Sequence, residues 1–263
     1  MKIETPSPSP FRPTSAIDQS ILVENRALLE KINRRSILRG AASLGALTML
    51  TGCDVTNRDS VQEVLRAMSS WNDRVQAFLF DPNKLAPTYS EADVVRPPRF
   101  NAFYPIEDVK PVDRASWRLE LGGLISDKRP WTVSRIAGLP IQSLIIKHIC
   151  VEGWSYIGQW SGPNFRVFLE RIGADLSAKY VAFRCADGYT SSIDMASALH
   201  PQTILATQYS GEGITDPFGA PLRLRTSVKL GFKNPKWITA IEVTNNYPGG
   251  YWEDRGYNWF SGL

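Results

Sequence analysis

Hydrophobic and polar residues alternate in several short segments from residue 117 onward, a pattern typical of strands that bury one face. Glycine pairs and other turn residues separate these segments. The pattern predicts strands at residues 117–121, 131–136, 144–149, 180–184, 203–207, 221–226 and 237–243. We therefore expect an α+β protein whose core is a mixed β-sheet or a flattened barrel with short helices.

Helical spacing is found in three other segments. Apolar residues recur every three or four positions in residues 60–80, which predicts an amphipathic helix that packs against the rest of the protein, with a partner-binding helix as the alternative. Shorter helices are predicted at residues 163–171 and 194–199. Residues 82–113 contain six prolines, so we expect an ordered loop there rather than regular structure.

The first 52 residues have the features of an export signal. Arg34 and Arg35 form a twin-arginine motif, and the apolar run at 41–51 is shorter than the ~20 residues that a membrane-spanning helix needs. Leu50-Thr51-Gly52-Cys53 resembles a bacterial lipobox, in which the cysteine thiol receives lipid. The alternatives are cleavage by the ordinary signal peptidase, or a basic helix of the folded domain.

These features predict a periplasmic protein that is anchored by lipid, and Asp54 favours retention at the inner membrane. Twin-arginine export carries folded proteins, so it favours a protein that receives a cofactor in the cytoplasm. The predicted organisation is a signal peptide at residues 1–52, an N-terminal helix and linker at 53–94, and one main domain at 95–263.

Charge and cysteine usage exclude several classes of protein. The net charge is +4, but residues 1–52 hold seven basic and four acidic residues, whereas the remainder is almost balanced with 23 and 22. Nucleic-acid binding therefore loses its main support. Three cysteines without a C-x-x-C pair argue against a disulfide framework, a cysteine zinc site and a c-type haem attachment.

Cys150 is the residue around which we organise the candidate chemistry. It follows the apolar run at 144–149, and the chain then turns through Val151-Glu152-Gly153-Trp154. A thiol held at the end of a rigid strand suits a soft metal or a nucleophilic sulfur, although a buried cysteine can also be a small hydrophobe. A nucleophile with His148 as its base is a poorer alternative, because residues two apart on a strand share a face without meeting.

Six motifs occur in order along the chain and together resemble one family. The motifs are CVEGWS at 150–155, W-x-G-x-x-F at 160–165, KYVAFR at 179–184, ALHPQTILA at 198–206, GAPLRL at 219–224 and GFKNPKWI at 231–238. They resemble the sulfite oxidase-type molybdopterin-dependent oxidoreductases, most of all the branch of periplasmic methionine-sulfoxide reductase catalytic subunits. The resemblance covers about residues 95–245.

The resemblance implies a sulfite oxidase-type molybdopterin-binding fold and one molybdenum-molybdopterin cofactor per chain. Cys150 would be the single protein thiolate on molybdenum and the catalytic residue. Arg223 and Lys236 would meet the pterin and its phosphate, a role that suits guanidinium and ammonium groups. The implied cofactor-binding residues are Asn101, Phe103, Tyr104, His148, Cys185, Arg223, Asn234, Pro235 and Lys236.

The chain departs from the family pattern at several positions. Cys185 stands where the reductase branch has a threonine near the pterin, and Phe218 stands where it has an asparagine. A disulfide between Cys150 and Cys185 would exclude the metal site. Glu152 and Trp154 follow the cysteine where sulfite oxidases have arginines, so an anionic substrate such as sulfite is disfavoured.

The implied activity is oxygen-atom transfer from a neutral S-oxide or N-oxide, either a small molecule or protein-borne. Electrons would come from a haem-containing membrane subunit or a cytochrome, because the chain has no haem, flavin or iron–sulfur motif. The sequence ends before the immunoglobulin-like dimer domain of sulfite oxidases, so we expect a monomer. A cofactor-free lipoprotein that serves as a binding module remains the alternative, with Arg223, Lys236 and His148 as ordinary structural residues.

Overall fold

A computed structural model describes residues 58–263, with side chains from Glu63 onward. The twin-arginine motif, the apolar run and Cys53 lie outside the described residues, so their roles stay predictions. No helix in the described part is both long enough and apolar enough to cross a membrane. In chain order the helices are α1 (Arg58–Leu79), α2 (Val133–Ala137), α3 (Phe165–Arg171) and α4 (Met195–Ala198).

Ten strands in residues 58–263 form three sheets. In chain order they are β1 (Glu120–Gly123), β2 (Ile141–Ile149), β3 (Ser155–Pro163), β4 (Tyr180–Cys185), β5 (Thr190–Asp194), β6 (Thr203–Ala206), β7 (Gln208–Tyr209), β8 (Glu212–Gly213), β9 (Arg223–Thr226) and β10 (Ile238–Thr244).

The largest sheets each contain four strands. One has the order β1-β10-β4-β5, with β1 parallel to β10 and the other pairs antiparallel. The other has the antiparallel order β2-β3-β7-β8, and β6 pairs with β9 separately. The α+β class is therefore confirmed. The strands of the described part do not close into a barrel, so the mixed-sheet form of our expectation is the correct one.

Two hydrophobic clusters fill the core on either side of β6. Leu205 packs in the cluster under the β1-β10-β4-β5 sheet, whereas Ile204 and Ala206 pack in the cluster under β2 and β3. All four residues of β6 are buried, because successive side chains of a strand point to opposite faces. β6 and its partner β9 therefore join the two halves of the core, and β9 carries two arginines into it.

Most predicted elements are confirmed, and two differences have clear causes. Residues 131–136 were predicted as a strand, but residues 133–137 form α2. Thr132 caps this helix, because its side chain accepts a hydrogen bond from the N–H of Arg135. The nine-residue strand β3 was not predicted, since Gly158 and Gly162 lower its strand propensity.

Gly162 is required in β3 by a close approach of two strands. A Cβ at this position would lie 2.0 Å from the carbonyl oxygen of Leu205 in β6. The glycine that hides the strand from sequence analysis is therefore the residue that allows β3 to pack against β6.

Helix α1 contacts the rest of the protein through polar side chains. The carboxylate of Asp73 accepts a hydrogen bond from the N–H of Phe260 at 2.6 Å, and the amide oxygen of Gln76 accepts one from the N–H of Gly262 at 3.1 Å. The predicted helix is thus present and packed. However, its apolar stripe points away from these contacts rather than towards them.

Candidate active site

A cleft brings together segments that lie far apart in the sequence. It encloses about 740 Å³, including the space that opens to solvent. Six of the ten residues that the resemblance assigns to the site line it, namely Asn101, Phe103, Cys150, Asn234, Pro235 and Lys236. The other four are not part of the lining, namely Tyr104, His148, Cys185 and Arg223.

Cys150 is held at the wall of the cleft by the end of β2 and a tight turn. Its N–H donates to the carbonyl of Trp154 at 2.9 Å, and the N–H of Gly153 donates to the carbonyl of Cys150 at 3.2 Å. Gly153 has a φ of +87°, which favours glycine. The position of the thiol is therefore fixed by backbone hydrogen bonds on both sides.

The surroundings of Cys150 act on its protonation in opposite directions. Burial raises the pKa of the thiol, and the Glu152 carboxylate, whose Oε2 lies 3.8 Å from Sγ, raises it as well. Backbone N–H groups of Glu152 and Val151 lower the pKa, because they donate hydrogen bonds to the sulfur. A metal cation at the sulfur would favour the thiolate, so this thiol suits a soft metal.

An acidic and aromatic wall adjoins the thiol. Glu152 lines the cleft, and its Oε2 accepts a hydrogen bond from Nε1 of Trp154 at 2.7 Å. The guanidinium of Arg99 lies 4.3 Å from the Trp154 ring centre, on the indole rather than on the carboxylate. The wall beside Cys150 therefore carries a carboxylate, and a negatively charged substrate would meet repulsion there.

Lys236 joins the loop at residues 234–236 to the segment around Asn101. Its Nζ donates to the carbonyl of Asn101 at 2.5 Å and lies 4.4 Å from the ring centre of Phe100 and 4.2 Å from that of Trp237. Burial lowers the pKa of Lys236 to about 7, and repulsion from Arg223 lowers it as well. An anion bound in the cleft would remove this penalty on the ammonium group.

Behind the cleft, Arg223 and Arg225 extend from the same face of β9. Both lie over the ring of Trp160, with guanidinium carbons 4.5 and 5.3 Å from its centre. Burial lowers the pKa of Arg223 to about 9. Within residues 63–263 neither arginine has a carboxylate within ion-pair distance.

A hydrogen-bond network connects Arg225 to the cleft. Its guanidinium donates to Oδ1 of Asn234 at 2.9 Å and lies 2.7 Å from Nδ1 of His148. A guanidinium can only donate, so Nδ1 accepts and the imidazole is neutral with its proton on Nε2. Burial and the charge of Arg225 lower the pKa of His148 well below its usual value, in agreement with this form.

This arrangement gives no support to the nucleophile hypothesis. Nδ1 of His148 is engaged by Arg225, and the hydrogen-bond partner of the Cys150 thiol is Glu152. The imidazole packs between aromatic rings and against Gly231, where an added Cβ would lie 2.7 Å from Nε2. His148 therefore packs behind Cys150 as a structural residue and does not act as a base for the thiol.

Cys185 and Tyr104 lie next to the cleft and support it. Both Cys150 and Cys185 are free, so the disulfide that would exclude a metal is not formed. Cys185 is buried, and its burial raises the pKa of the thiol well above its usual value. The hydroxyl of Tyr104 donates to the carboxylate of Asp187 at 3.1 Å, and Asp187 itself lines the cleft.

Sequence analysis missed several residues of the site. Asp187 and Tyr189 line the cleft but lie outside the six motifs, and Trp237 lines it too but was not assigned to the site although it is part of GFKNPKWI. Arg225 was missed although its signal was present, because alternation along β9 places it on the same face as Arg223. Arg223 also donates to the carbonyl of Phe218 at 2.8 Å, so the backbone at residue 218 takes part even though the family asparagine is absent.

Comparison with known families gives the identity of the domain. Residues 106–252 match the oxidoreductase molybdopterin binding domain. The chain belongs to this family. The match includes Cys150, Glu152, both arginines and Lys236, so the cleft and the cations behind it belong to a molybdopterin-binding oxidoreductase domain.

Curated relatives carry the name of one reductase. A protein of Azospira oryzae, named provisionally as the protein-methionine-sulfoxide reductase subunit YedZ1, is 55% identical over 229 residues, which are 87% of both chains. The protein-methionine-sulfoxide reductase catalytic subunit MsrP of Xanthomonas axonopodis is 30% identical over 62% of this chain and 59% of that protein.

A solved structure shows a weaker likeness. The sulfane dehydrogenase SoxCD from Paracoccus pantotrophus aligns with a TM-score of 0.49 and 17% identity, over 52% of this chain and 40% of that one.

The residues present fit molybdopterin. Three buried or nearly buried cations, Arg223, Arg225 and Lys236, lie in or behind the cleft. Polar atoms of the two arginines and of His148 lack partners within residues 63–263. These are Nε of Arg223, Nε and one terminal nitrogen of Arg225, and Nε2 of His148. Buried donors require acceptors, and a phosphorylated pterin supplies anionic oxygens.

Proposed function

We propose that the protein is an exported reductase that removes an oxygen atom from a neutral S-oxide or N-oxide, with protein-borne methionine sulfoxide as the first candidate. The names of the Azospira and Xanthomonas relatives support the substrate. In this reaction a sulfoxide accepts two electrons and two protons and yields a thioether and water. The observation that carries the proposal is the free thiol of Cys150 in a cleft lined by Lys236 and backed by unpaired arginines.

In this proposal the chain holds one molybdenum-molybdopterin, with the Cys150 thiolate as the protein ligand of molybdenum. The bound group supplies the two-electron chemistry. Lys236 and Arg223 would meet the pterin and neutralise its phosphate, the backbone at Asn234 and Pro235 would add hydrogen bonds, and Asn101 would line the pterin site. Phe103 and Tyr104 order the opposite wall, where Phe103 stacks on Tyr251 at a ring-centre distance of 4.8 Å.

The walls around Cys150 support a neutral substrate. Glu152 places a carboxylate beside the thiol, and Trp154 holds that carboxylate by a hydrogen bond. Sulfite would have to approach against this charge, whereas an uncharged sulfoxide would not. The side chains of Tyr189, Trp237 and Trp252 add aromatic surface to the lining, which suits a thioether side chain.

Electrons would arrive one at a time from a haem-containing membrane subunit or a cytochrome. This partner is consistent with the predicted twin-arginine export and with a lipid on Cys53 at the inner membrane.

Conversion of Arg34 and Arg35 to lysine should keep the protein in the cytoplasm, and Cys53→Ala should abolish labelling by radioactive palmitate. Labelling that survives in Cys53→Ala would contradict the anchor. We propose a monomer, which sedimentation of the purified protein would test.

A substrate comparison tests the proposed reaction. Purified enzyme loaded with cofactor is supplied with reduced viologen dye and either free methionine sulfoxide, oxidised protein or trimethylamine N-oxide, and dye oxidation is measured. Sulfite with ferricyanide is the comparison in the opposite direction. We expect S-oxide or N-oxide reduction to dominate. Rapid sulfite oxidation without any oxide reduction would overturn the proposal.

Glu152→Gln refines this test, with Glu91→Gln as a control on an exposed carboxylate that does not line the cleft. Removing the charge beside Cys150 should increase any residual sulfite oxidation several-fold and leave reduction of the neutral oxide within about twofold. An equal effect of both substitutions would show that Glu152 does not select against anions.

A further inference from the structure

Helix α1 exposes an apolar stripe that the proposed chemistry does not use. Val64, Leu65, Met68, Trp71, Phe78 and Leu79 are all more than half exposed, and Trp71 and Phe78 are 64% and 88% exposed. Their spacing of three, four and seven residues places them on one side of the helix. From residue 64 to residue 79 the stripe extends ~22 Å along the helix axis.

Residues 63–263 leave most of this stripe exposed. The half-buried side chains of α1 are Ser69, Asp73, Val75 and Gln76. The three polar ones lie on a different side of the helix from the stripe, whereas Val75 lies within the stripe, between Trp71 and Leu79. Asp73 and Gln76 form the hydrogen bonds to residues 260 and 262. Because the polar side of the helix is the docked one, the usual arrangement of a surface helix is reversed.

The position of α1 in the chain indicates what covers the stripe. The helix begins at Arg58, five residues after the lipobox cysteine, and five extended residues reach at most ~18 Å. If Cys53 carries lipid, the stripe cannot lie far from the surface of the bilayer. A helix with Trp, Phe and Leu on one side and charged residues on the other is typical of the membrane interface.

We propose that the apolar stripe of α1 lies in the interface of the lipid bilayer, beside the lipid on Cys53, and holds the domain at the membrane surface. This inference rests on the proposed export and lipid anchor. The described helix has three arginines and three acidic residues, so its binding should depend on apolar contact and need no anionic lipid.

Vesicle flotation tests the proposal without the lipid anchor. The protein is the chain from residue 53 onward with Cys53→Ser, which retains the whole compact unit of residues 63–263. It is mixed with neutral phosphatidylcholine vesicles and compared with two double variants. Met68→Glu with Trp71→Glu places two acids on the stripe, whereas Ser70→Glu with Ala77→Glu places two acids at exposed positions off the stripe.

We expect the unsubstituted chain and the off-stripe variant to float with the vesicles equally, within about twofold. The on-stripe variant should bind at least about tenfold more weakly, because two charges would have to enter the apolar interface. Thermal unfolding of all three proteins is measured in parallel, and similar melting temperatures exclude a loss of folding.

Other outcomes overturn the proposal. If the unsubstituted chain does not float, or if both double variants float as it does, the stripe does not bind lipid. If the stripe instead produces a dimer that the on-stripe variant loses, its occupant is a second copy. Neither result depends on cofactor or substrate, so oxide reduction can still be present when vesicle binding fails, and the two proposals are tested separately.

Discussion

Gly219 shows how one residue can hold two cations of the site in place. It has a φ of +105°, and a Cβ there would lie 2.9 Å from Cβ of Lys236 and 3.2 Å from Cβ of Arg223. Both contacts are close to the backbone, where neither side chain can easily move aside. Glycine is therefore required by conformation and by space together.

Gly219→Ala should destabilise the protein by about 1–3 kcal/mol and reduce the amount of bound molybdopterin. The reason is that the methyl group displaces Lys236 and Arg223. Gly211→Ala is the matched control, because Gly211 has a φ of +84° but no atom within 4 Å of the position that a Cβ would occupy. The control has the conformational strain without the close contacts, so it should lose less stability and keep its cofactor. Equal cofactor loss in both variants would refute this role for Gly219.

The lowered pKa of Lys236 predicts that the stability of the cofactor-free protein depends on pH. Its pKa is about 7 in the fold against 10.5 in the unfolded chain, so between these values the unfolded state binds more protons. Lys236 therefore makes the free energy of unfolding increase as the pH rises above about 7, because the folded protein no longer has to bury the charged ammonium group. Lys236→Met should remove this part of the slope.

The measurement is urea unfolding of cofactor-free wild type and Lys236→Met at pH 6.5 and 8.5. The wild type should gain stability relative to the variant at the higher pH. An unchanged difference between the two proteins would contradict a depressed pKa. Bound cofactor should weaken the effect, because a phosphate near the ammonium favours its charged form.

Single residues also show how much of the candidate site could be predicted from the sequence. Cys150, Asn101 and Lys236 were assigned through the family resemblance and do line one cleft. Arg225 was overlooked because an arginine in an alternating strand usually faces solvent, whereas here β9 is buried on both faces. That burial depends on which strands flank β9, and no local pattern of residues contains this information.

At the scale of elements, two loops of the cleft are tied by a buried ion pair. Nζ of Lys233 lies 2.5 Å from Oε1 of Glu253, and both side chains are fully buried. Glu253 also accepts a hydrogen bond from Ser191 in β5 at 3.0 Å. Lys233 follows two lining residues and Glu253 follows Trp252 in the lining, so the pair fixes two walls of the cleft.

Lys233→Met should lower the free energy of unfolding by about 3–5 kcal/mol, because it leaves Glu253 buried without its partner. Lys233→Met with Glu253→Leu should recover much of this loss, since no buried charge remains. Urea unfolding measures both. The control Arg129→Met removes an exposed pair with Asp127 and should cost less than about 1 kcal/mol. A Lys233→Met variant as stable as this control would show that the pair is dispensable.

Elements were predicted best where periodicity was strong. β2, β4, β6, β9 and β10 overlap their predicted strands, and α1, α3 and α4 overlap their predicted helices. The strand predicted at residues 131–136 was wrong, because the five-residue helix α2 is too short to show helical periodicity and its β-branched residues favour a strand. β3 was missed because its glycines serve packing between strands, which is a tertiary requirement.

At the scale of the whole molecule, the site is assembled from segments around residues 101, 150, 187, 234 and 252. Contacts over such distances cannot be read from local patterns, and here they were anticipated only through the family resemblance. The fold explains why these segments meet. Cys150 follows the end of β2, Arg223 and Arg225 lie on β9, and Lys236 lies in the loop before β10. Contacts of Arg225 with His148 and of Lys236 with Asn101 hold these segments together.

The molybdenum content of purified protein decides whether Cys150 holds the metal of a molybdopterin cofactor. Protein matured in a host that makes molybdopterin is analysed by mass spectrometry for metal, and its pterin is measured by fluorescence. Wild type and Cys185→Ser should contain molybdenum at one ion per chain, whereas Cys150→Ser should contain at least about tenfold less while unfolding at a similar temperature. Undiminished molybdenum in Cys150→Ser, or none in correctly matured wild type, would contradict the account.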